Sequence, residues 1–349
     1  MSDRRRLKKI GFLHIVPFTR DDPATGFNEA LDLFEYAEQL GLDGGWIRTR
    51  HIQYGVPSAA VFLAAAAQRT TRIDLGTAVI PTIYESPLRL AEDLAVADIL
   101  SGGRLQPGLS VGPARLPDHV TERILGSPAE RGEVTHARIE RILSFIRGEK
   151  IDLSERPIGL GGVTELGSDR VEPYSRGLAE RIWYGAGSLR SASWAGQAGV
   201  KLLVSNISTA EDSDVFPVAQ RQQIDLFRSE HPAGDDAVVA KGHVLIPTTN
   251  ATAAQREKFT AYTQARLPRT RQVQANRTII APDLFGSTDE IVEQLRGDLG
   301  FQGADEFLFE LPFQFNQDDY RHILREVAEN IGPALGWSPQ VATGAPAHD

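Results

Sequence analysis

Eight short runs of apolar, largely β-branched residues recur along this chain, each followed by sequence patterned for an amphipathic helix. That alternation constrains the fold more than any other feature. The runs fall at 10–16, 45–47, 73–80, 105–111, 182–185, 201–205, 238–246 and 306–311. Several are hydrophobic without a break, the pattern of parallel strands buried on both faces. Between them, Phe27, Ala30, Leu31, Phe34, Ala37 and Leu40 repeat at helical spacing, and Gly41 suits the C′ position. Ser86–Pro87 reads as an N-cap with proline at N1. Tyr320, Ile323, Leu324, Val327, Ile331 and Leu335 form another such stripe before Gly336.

Strand–helix alternation is compatible with a closed parallel barrel or an open doubly wound sheet. Eight units and no dinucleotide fingerprint favour an α/β fold made of one (β/α)8 TIM barrel over 1–338, with a flexible tail over 339–349. Two stretches break the repeat: 113–180 after the fourth strand, with a helix-like piece at 133–147, and the polar, proline-punctuated 267–285 before the eighth. Insertions in such barrels gather at the carboxyl ends of strands and shape the mouth.

Composition narrows the functional classes. With 41% hydrophobic and 24% charged residues over 349 positions, the chain can bury a sizeable core. Its formal net charge of −9 argues against nucleic acid or an anionic membrane as main partner. A small anionic ligand stays open, because salt screens distant charge beyond ~8–10 Å. The absence of cysteine excludes disulfides, thiolate nucleophiles and cysteine-bound metal centres. Arg4, Arg5 and Arg6 precede an apolar run, as in a twin-arginine leader, but His14, Pro17 and Asp21–Asp22 interrupt it. The longest wholly apolar run elsewhere, 59–67, is far short of the ~18–20 residues that span a bilayer. A cytoplasmic protein is expected.

Three constellations carry chemical content. The first is 185–199, GAGSLRSASWAGQAG, directly after a strand. Its glycines, Ser188 and Ser191 open a helix whose first-turn N–H groups and positive dipole end suit phosphate, and Arg190 adds charge. The third glycine of G-x-G-x-x-G and the lysine of a P-loop are missing, so a plain strand-to-helix turn capped by Ser188 remains the competing reading. The second is 74–81, DLGTAVIP, where Thr77 and Ala78 would let a flat ring approach a strand end; simple barrel packing competes. The third is 48–51, RTRH. There His51 is a candidate acid or base, and Arg48 and Arg50 would depress its pKa, against the alternative of a surface ion-pair cluster. His14 reads as a core histidine. Glu133 with His136, and Asp319 with His322, have the spacing of metal ligands on a helix but read as solvated faces, so no metal is expected.

The segments GGWIRTRH and GVPSAAVFLAAAAQRTTRIDLGTAVIPTIYESPLRLAEDLAVADILSGGRLQPGLSVG, followed later by ERIWYGAGSLRSASWAGQAG, closely resemble the bacterial luciferase-like flavin-dependent monooxygenases. The resemblance covers roughly two-thirds of the chain. It implies a barrel, often dimeric, with reduced flavin at the carboxyl ends of the strands. It also implies that Thr77 and Ala78 line the flavin ring, with a non-proline cis peptide near Ala78–Val79, and that Ser110 abuts the ring. By the same resemblance Gly187, Ser188 and Ser191 form the phosphate loop. Two departures stand out: Arg50 replaces the first of a histidine pair, and Val111 replaces a phosphate-contacting arginine, whose charge Arg190 would take over. The implied activity is that of a two-component monooxygenase. It would take reduced FMN from a separate flavin reductase and use O2 to oxidise a small organic substrate. His51 would manage protons, Arg50 would orient an anionic group, and Ile52, Tyr54, Trp183 and Phe313 are candidate mouth residues. Two alternatives remain: a deazaflavin-dependent hydride-transfer oxidoreductase and a flavin-binding protein without turnover.

Overall fold

The computed structural model of the chain describes residues 6–112, 116–127, 135–151, 168–270 and 272–340. Its first strands are β1 (Lys9–His14), β2 (Gly44–Ile47), β3 (Asp74–Thr77), β4 (Ile80–Pro81), β5 (Leu105–Gln106), β6 (Gly108–Ser110) and β7 (Trp183–Gly185). They are followed by β8 (Lys201–Val204), β9 (Ile207–Thr209), β10 (Val239–Pro247), β11 (Thr278–Ile280), β12 (Leu284–Gly286) and β13 (Glu306–Glu310). Every one of the eight expected runs is therefore a strand. Two of them are split, the third around the Ala78–Val79 peptide, which is cis where the resemblance placed such a bond, and the fourth at Pro107.

The main sheet is parallel and curled, with strand order β4-β6-β7-β8-β10-β13-β1-β2-β3-β5. The two ends of that order are consecutive pieces of the same two passes: β3 pairs β5, and β4 pairs β6. Helices cover the outside, as a sheet buried on both faces requires. Phe12 points outward into this layer, its ring 4.9 Å from Phe34, which meets Phe62 of the next helix at 5.7 Å.

Side chains alternate along each strand, so the inward residues form layers. At the amino ends of the strands the layer is polar: Lys9 Nζ lies 2.5 Å from Asp74 Oδ2, and Gln106 Nε2 is 3.5 Å from Asp74 Oδ1. Burial pushes Glu306, in the same layer, up to about 7, against the opposing pull of Lys9 and Lys201. Above it Leu13, Trp46, Trp183, Leu203, Ala240 and Leu308 form an apolar plug. Trp46 lies over Gly76, where a Cβ would come within 2.1 Å of the indole. The glycine of DLGTAVIP therefore serves packing.

Several expectations need correction. Trp183 is in the plug, 1% exposed, and not at the mouth, whereas Ile52, Tyr54 and Phe313 are exposed. His14 is a core histidine, edge-on to Tyr320 at 4.8 Å, yet neither ring nitrogen finds a partner, and burial pushes it down to about 3. Ser86 is the N-cap of Pro87–Leu100 with proline opening the helix, as expected, though its side chain makes no capping bond. Asp319 and His322 are buried: Asp319 closes a capping box with Asn316 and pairs with Lys258, and His322 Nε2 faces Pro247 O at 3.2 Å. The 267–285 segment hides two strands, β11 pairing antiparallel with β9 and β12 extending along β10. Part of the 113–180 segment (113–115, 128–134 and 152–167) lies outside the described residues, as does 341–349 of the expected tail. Within that tail Gln340 N donates to Gly41 O at 2.9 Å. Gly41 has φ +80°, and a Cβ there would crowd Pro339, so the turn and the tail contact both require glycine.

Candidate active site

A cavity of about 820 Å3 opens at the carboxyl ends of the strands. Its floor is Leu13, Leu203 and Leu308, the upper face of the plug, and one wall carries the small residues Ala78, Ser110, Gly185 and Gly242. Ala78, Ser110 and Gly185, on neighbouring passes of the sheet, leave room for a flat group. Arg48 also lines the cavity. Its Nη2 reaches Glu310 Oε1 at 2.7 Å and its Nε reaches Ala78 O at 3.3 Å, so the arginine holds the turn at the cis bond and a buried carboxylate at once.

The opposite end is rich in hydrogen-bond donors. Ser188 is the N-cap of helix Leu189–Ala198, its Oγ accepting from Ser191 N at 3.2 Å, and Gly187, Arg190 and Ser191 line the cavity beside it. A second helix, His136–Ile146, begins at the same place with Thr135 as N-cap, its hydroxyl accepting from Ala137 N. Thr135 and His136 both line the cavity. Two helix starts thus bring partial positive charge to one end of the cavity. The His136 ring is stacked on Trp194 at 4.3 Å and 6°, and its Nε2 is 2.9 Å from Tyr184 Oη. Burial pushes the imidazole down, and Arg190 adds to the shift against the pull of Glu140. Burial raises the Tyr184 phenol.

Seven of the nine candidate residues line this cavity: Arg50, Ala78, Ser110, Gly187, Ser188, Arg190 and Ser191. Thr77 does not. It is fully buried, its hydroxyl accepting from Gly108 N at 2.7 Å and donating to Gly108 O at 2.9 Å, so it joins two passes of the curled sheet. His51 does not line the cavity either. Its ring stacks on Tyr84 at 4.3 Å, and Nε2 is buried without a partner. Its pKa is lowered as expected, but the cause is burial and not the neighbouring arginines. Val111, standing where a phosphate-contacting arginine was implied, lines the cavity.

Sequence reasoning missed Thr135, His136, Tyr184, Arg48 and Glu310 as cavity residues. For Glu310 a signal existed: in 306–310 the alternation of Glu306, Leu308 and Glu310 points one charged side chain inward at each end of a buried strand. For His136 there was none, because it is brought into place by a helix that begins beyond an irregular insertion. Among the described residues no group of three or more His, Asp or Glu gathers as a metal site, and no helix is long and apolar enough to cross a membrane.

The profile of the luciferase-like monooxygenases matches residues 10–298. The chain belongs to this family. Its curated relatives include monooxygenases and other oxidoreductases. The 4-hydroxyprotoasukamycin monooxygenase of Streptomyces nodosus subsp. asukaensis is 30% identical over 48% of this chain and 48% of its own length. The limonene 1,2-monooxygenase of Rhodococcus erythropolis is 29% identical over 57% of this chain and 53% of its own. An F420-dependent glucose-6-phosphate dehydrogenase of Amycolatopsis mediterranei is 31% identical over 48% and 51%. The chain thus spans about half the length of the curated relatives it matches. Among solved structures, the oxygenating constituent of 3,6-diketocamphane monooxygenase from Pseudomonas putida, in complex with FMN, superposes with a TM-score of 0.66 at 13% identity. That alignment covers 94% of this chain and 99% of that one. The F420-dependent tetrahydromethanopterin reductase of Methanopyrus kandleri gives 0.63 at 18%, over 94% and 99%. At these identities the likeness is one of fold.

Proposed function

We propose that this chain is the oxygenase component of a two-component, FMN-dependent monooxygenase. It would receive reduced FMN from a separate flavin reductase and use O2 to oxidise a small organic substrate. The observation that carries this reading is the convergence of two helix starts, Arg190 and the Ser188 and Ser191 hydroxyls on one end of a cavity that also carries small residues (Ala78, Ser110, Gly185) and an apolar floor, with Arg48, Arg50 and Glu310 lining it as well. The volume suits the group, since pockets for ligands of this size run ~300–1,000 Å3. The donor set fits as well: an end rich in N–H groups suits a phosphate, and a dry wall of Ala78, Ser110 and Gly185 suits a ring. Bound reduced flavin supplies the electrons with which O2 oxidises a substrate.

The residues then divide the work. Ser188, Ser191, Gly187, Arg190 and His136 hold the phosphate, and Ala78 and Ser110 abut the ring. Leu13, Leu203 and Leu308 exclude water from beneath it. Arg50 orients an anionic group of the substrate. His51, stacked on Tyr84 just outside the cavity lining and with its pKa lowered by burial, would serve as proton carrier next to Arg50. In the same reading the curled sheet is a closed (β/α)8 barrel, with 113–180 and 267–285 as insertions at the mouth. The protein is a cytoplasmic homodimer: Leu88, Val96, Ile99 and Leu100 are exposed on one side of helix Pro87–Leu100, around the Arg89–Glu92 ion pair, and a second copy would cover them.

F420-dependent relatives favour a second reading, hydride transfer with a deazaflavin. Oxygen separates the two. Pre-reduced FMN bound to the protein should be reoxidised by air with transfer of an oxygen atom to substrate. A reduced complex that persists in air and passes hydride to an acceptor would favour the deazaflavin. A filled cavity with neither reaction would leave a binding protein without turnover.

A further inference from the structure

Beside the donor-rich end of the cavity, next to Ser188 but outside the cavity lining, stands one group of the wrong sign for an anion site. The Glu211 carboxylate Oε2 accepts the Leu189 backbone N–H at 2.5 Å, the first donor of the helix that Ser188 caps. A carboxylate therefore already holds one of the N–H groups that an anion at this helix start would use. Its backbone is firmly held. Thr209 N donates to Gly187 O at 2.7 Å, tying the end of β9 to the phosphate loop, and Ala210 N donates to Arg277 O at 2.8 Å. The Arg277 guanidinium returns to Ala210 O at 2.9 and 2.6 Å and reaches Asp214 Oδ1 at 2.7 Å. The Glu211 side chain, by contrast, is exposed, and among the described residues no lysine or arginine forms an ion pair with it. A fixed backbone carrying a solvent-facing carboxylate is a group that can rotate into water without disturbing the loop.

We propose that Glu211 is a specificity-determining residue, an internal anion that competes with the cofactor's phosphate for the start of helix Leu189–Ala198 and yields when phosphate binds. This deepens the flavin reading and rests on its assignment of the phosphate end. In the empty protein the carboxylate stabilises the exposed N–H groups and the helix dipole. An arriving phosphate, carrying about −1.5 to −2 charges, must displace it and meets its repulsion until it has turned away. The competition weakens phosphate-bearing ligands only. For a chain that borrows reduced flavin from a reductase and returns it oxidised, a deliberately moderate hold on the phosphate favours exchange.

Glu211→Gln keeps an oxygen for the Leu189 N–H and removes the charge; Glu211→Ala removes both. Calorimetric titration with inorganic phosphate probes the anion site without flavin, and fluorescence titration compares FMN with riboflavin. Glu211→Gln should bind inorganic phosphate and FMN about 10-fold more tightly than the unaltered protein, with riboflavin unchanged, and Glu211→Ala should follow it. Equal phosphate and FMN affinities in variant and parent would overturn the proposal. So would parallel weakening of FMN and riboflavin, which would make Glu211 a direct cofactor ligand. If no flavin binds at all, the flavin reading fails, and the inorganic phosphate arm still decides what Glu211 does.

Discussion

Replacing Ser188 by alanine separates two jobs of one hydroxyl. Its oxygen accepts from Ser191 N at 3.2 Å and so caps helix Leu189–Ala198, while its own hydrogen is left to donate into the cavity. Loss of an N-cap typically costs ~1 kcal/mol, a fall in Tm of about 2 °C for a chain of this size. Loss of a hydrogen bond to a charged phosphate costs ~1.5–3 kcal/mol, roughly 10- to 100-fold in FMN affinity. Riboflavin lacks the phosphate and should feel only the small stability change. Ser188→Asp sharpens the test, because aspartate caps as well as serine yet puts a negative charge where phosphate should sit. Stability should then be near normal, with FMN affinity lower still and riboflavin again unaffected. Fluorescence titration of both ligands against all three proteins, with melting curves alongside, reads each term separately. If FMN and riboflavin weaken equally in Ser188→Ala, the loop does not hold phosphate and the assignment of this end of the cavity is wrong.

His51→Asn should lower single-turnover substrate oxidation by at least ~100-fold while FMN affinity changes little. Burial lowers the imidazole pKa, so the rate should fall on acidification only below its ordinary value of 6.5, and this limb should vanish in the variant. A normal rate in His51→Asn would shift the proton chemistry to Arg50 or solvent. For stability, Glu306 is raised from 4.5 to about 7 by burial, so between those values the folded state holds a proton that the unfolded state has lost. Its contribution therefore declines as pH rises through that window, by about 3 kcal/mol at most. Glu306→Gln should accordingly raise Tm more at pH 8 than at pH 5, and parallel Tm–pH curves for variant and parent would contradict the buried-carboxylate account.

The strands of the curled sheet were legible because strands buried on both faces leave uninterrupted apolar runs, and the Ser188 cap because a serine three residues before Ser191 at the close of a strand has a local geometric meaning. What stayed hidden depends on contacts distant in sequence. Thr77 has the size and polarity of a cofactor ligand, but the period of β3 turns Asp74, Gly76 and Ala78 inward and Thr77 outward, onto Gly108. His51 follows Arg50, which lines the cavity, yet the chain turns at Ile52, which has φ +57°, and the ring lies against Tyr84. His136 reaches the cavity from an insertion, and Glu211 reaches the start of helix Leu189–Ala198 from the turn after β9, and no local pattern announces either. Strands β9 and β11 escaped notice because three-residue, half-buried strands carry too little periodicity to stand out.

The most direct test of the central claim is the identity of the cofactor the chain selects. The protein is incubated with an equimolar mixture of FMN, riboflavin and the deazaflavin F420, freed of unbound ligand, and the retained molecule identified by mass spectrometry after denaturation. The account predicts FMN in excess over riboflavin, with the excess lost in Ser188→Asp. Retention of F420 with FMN excluded would contradict it.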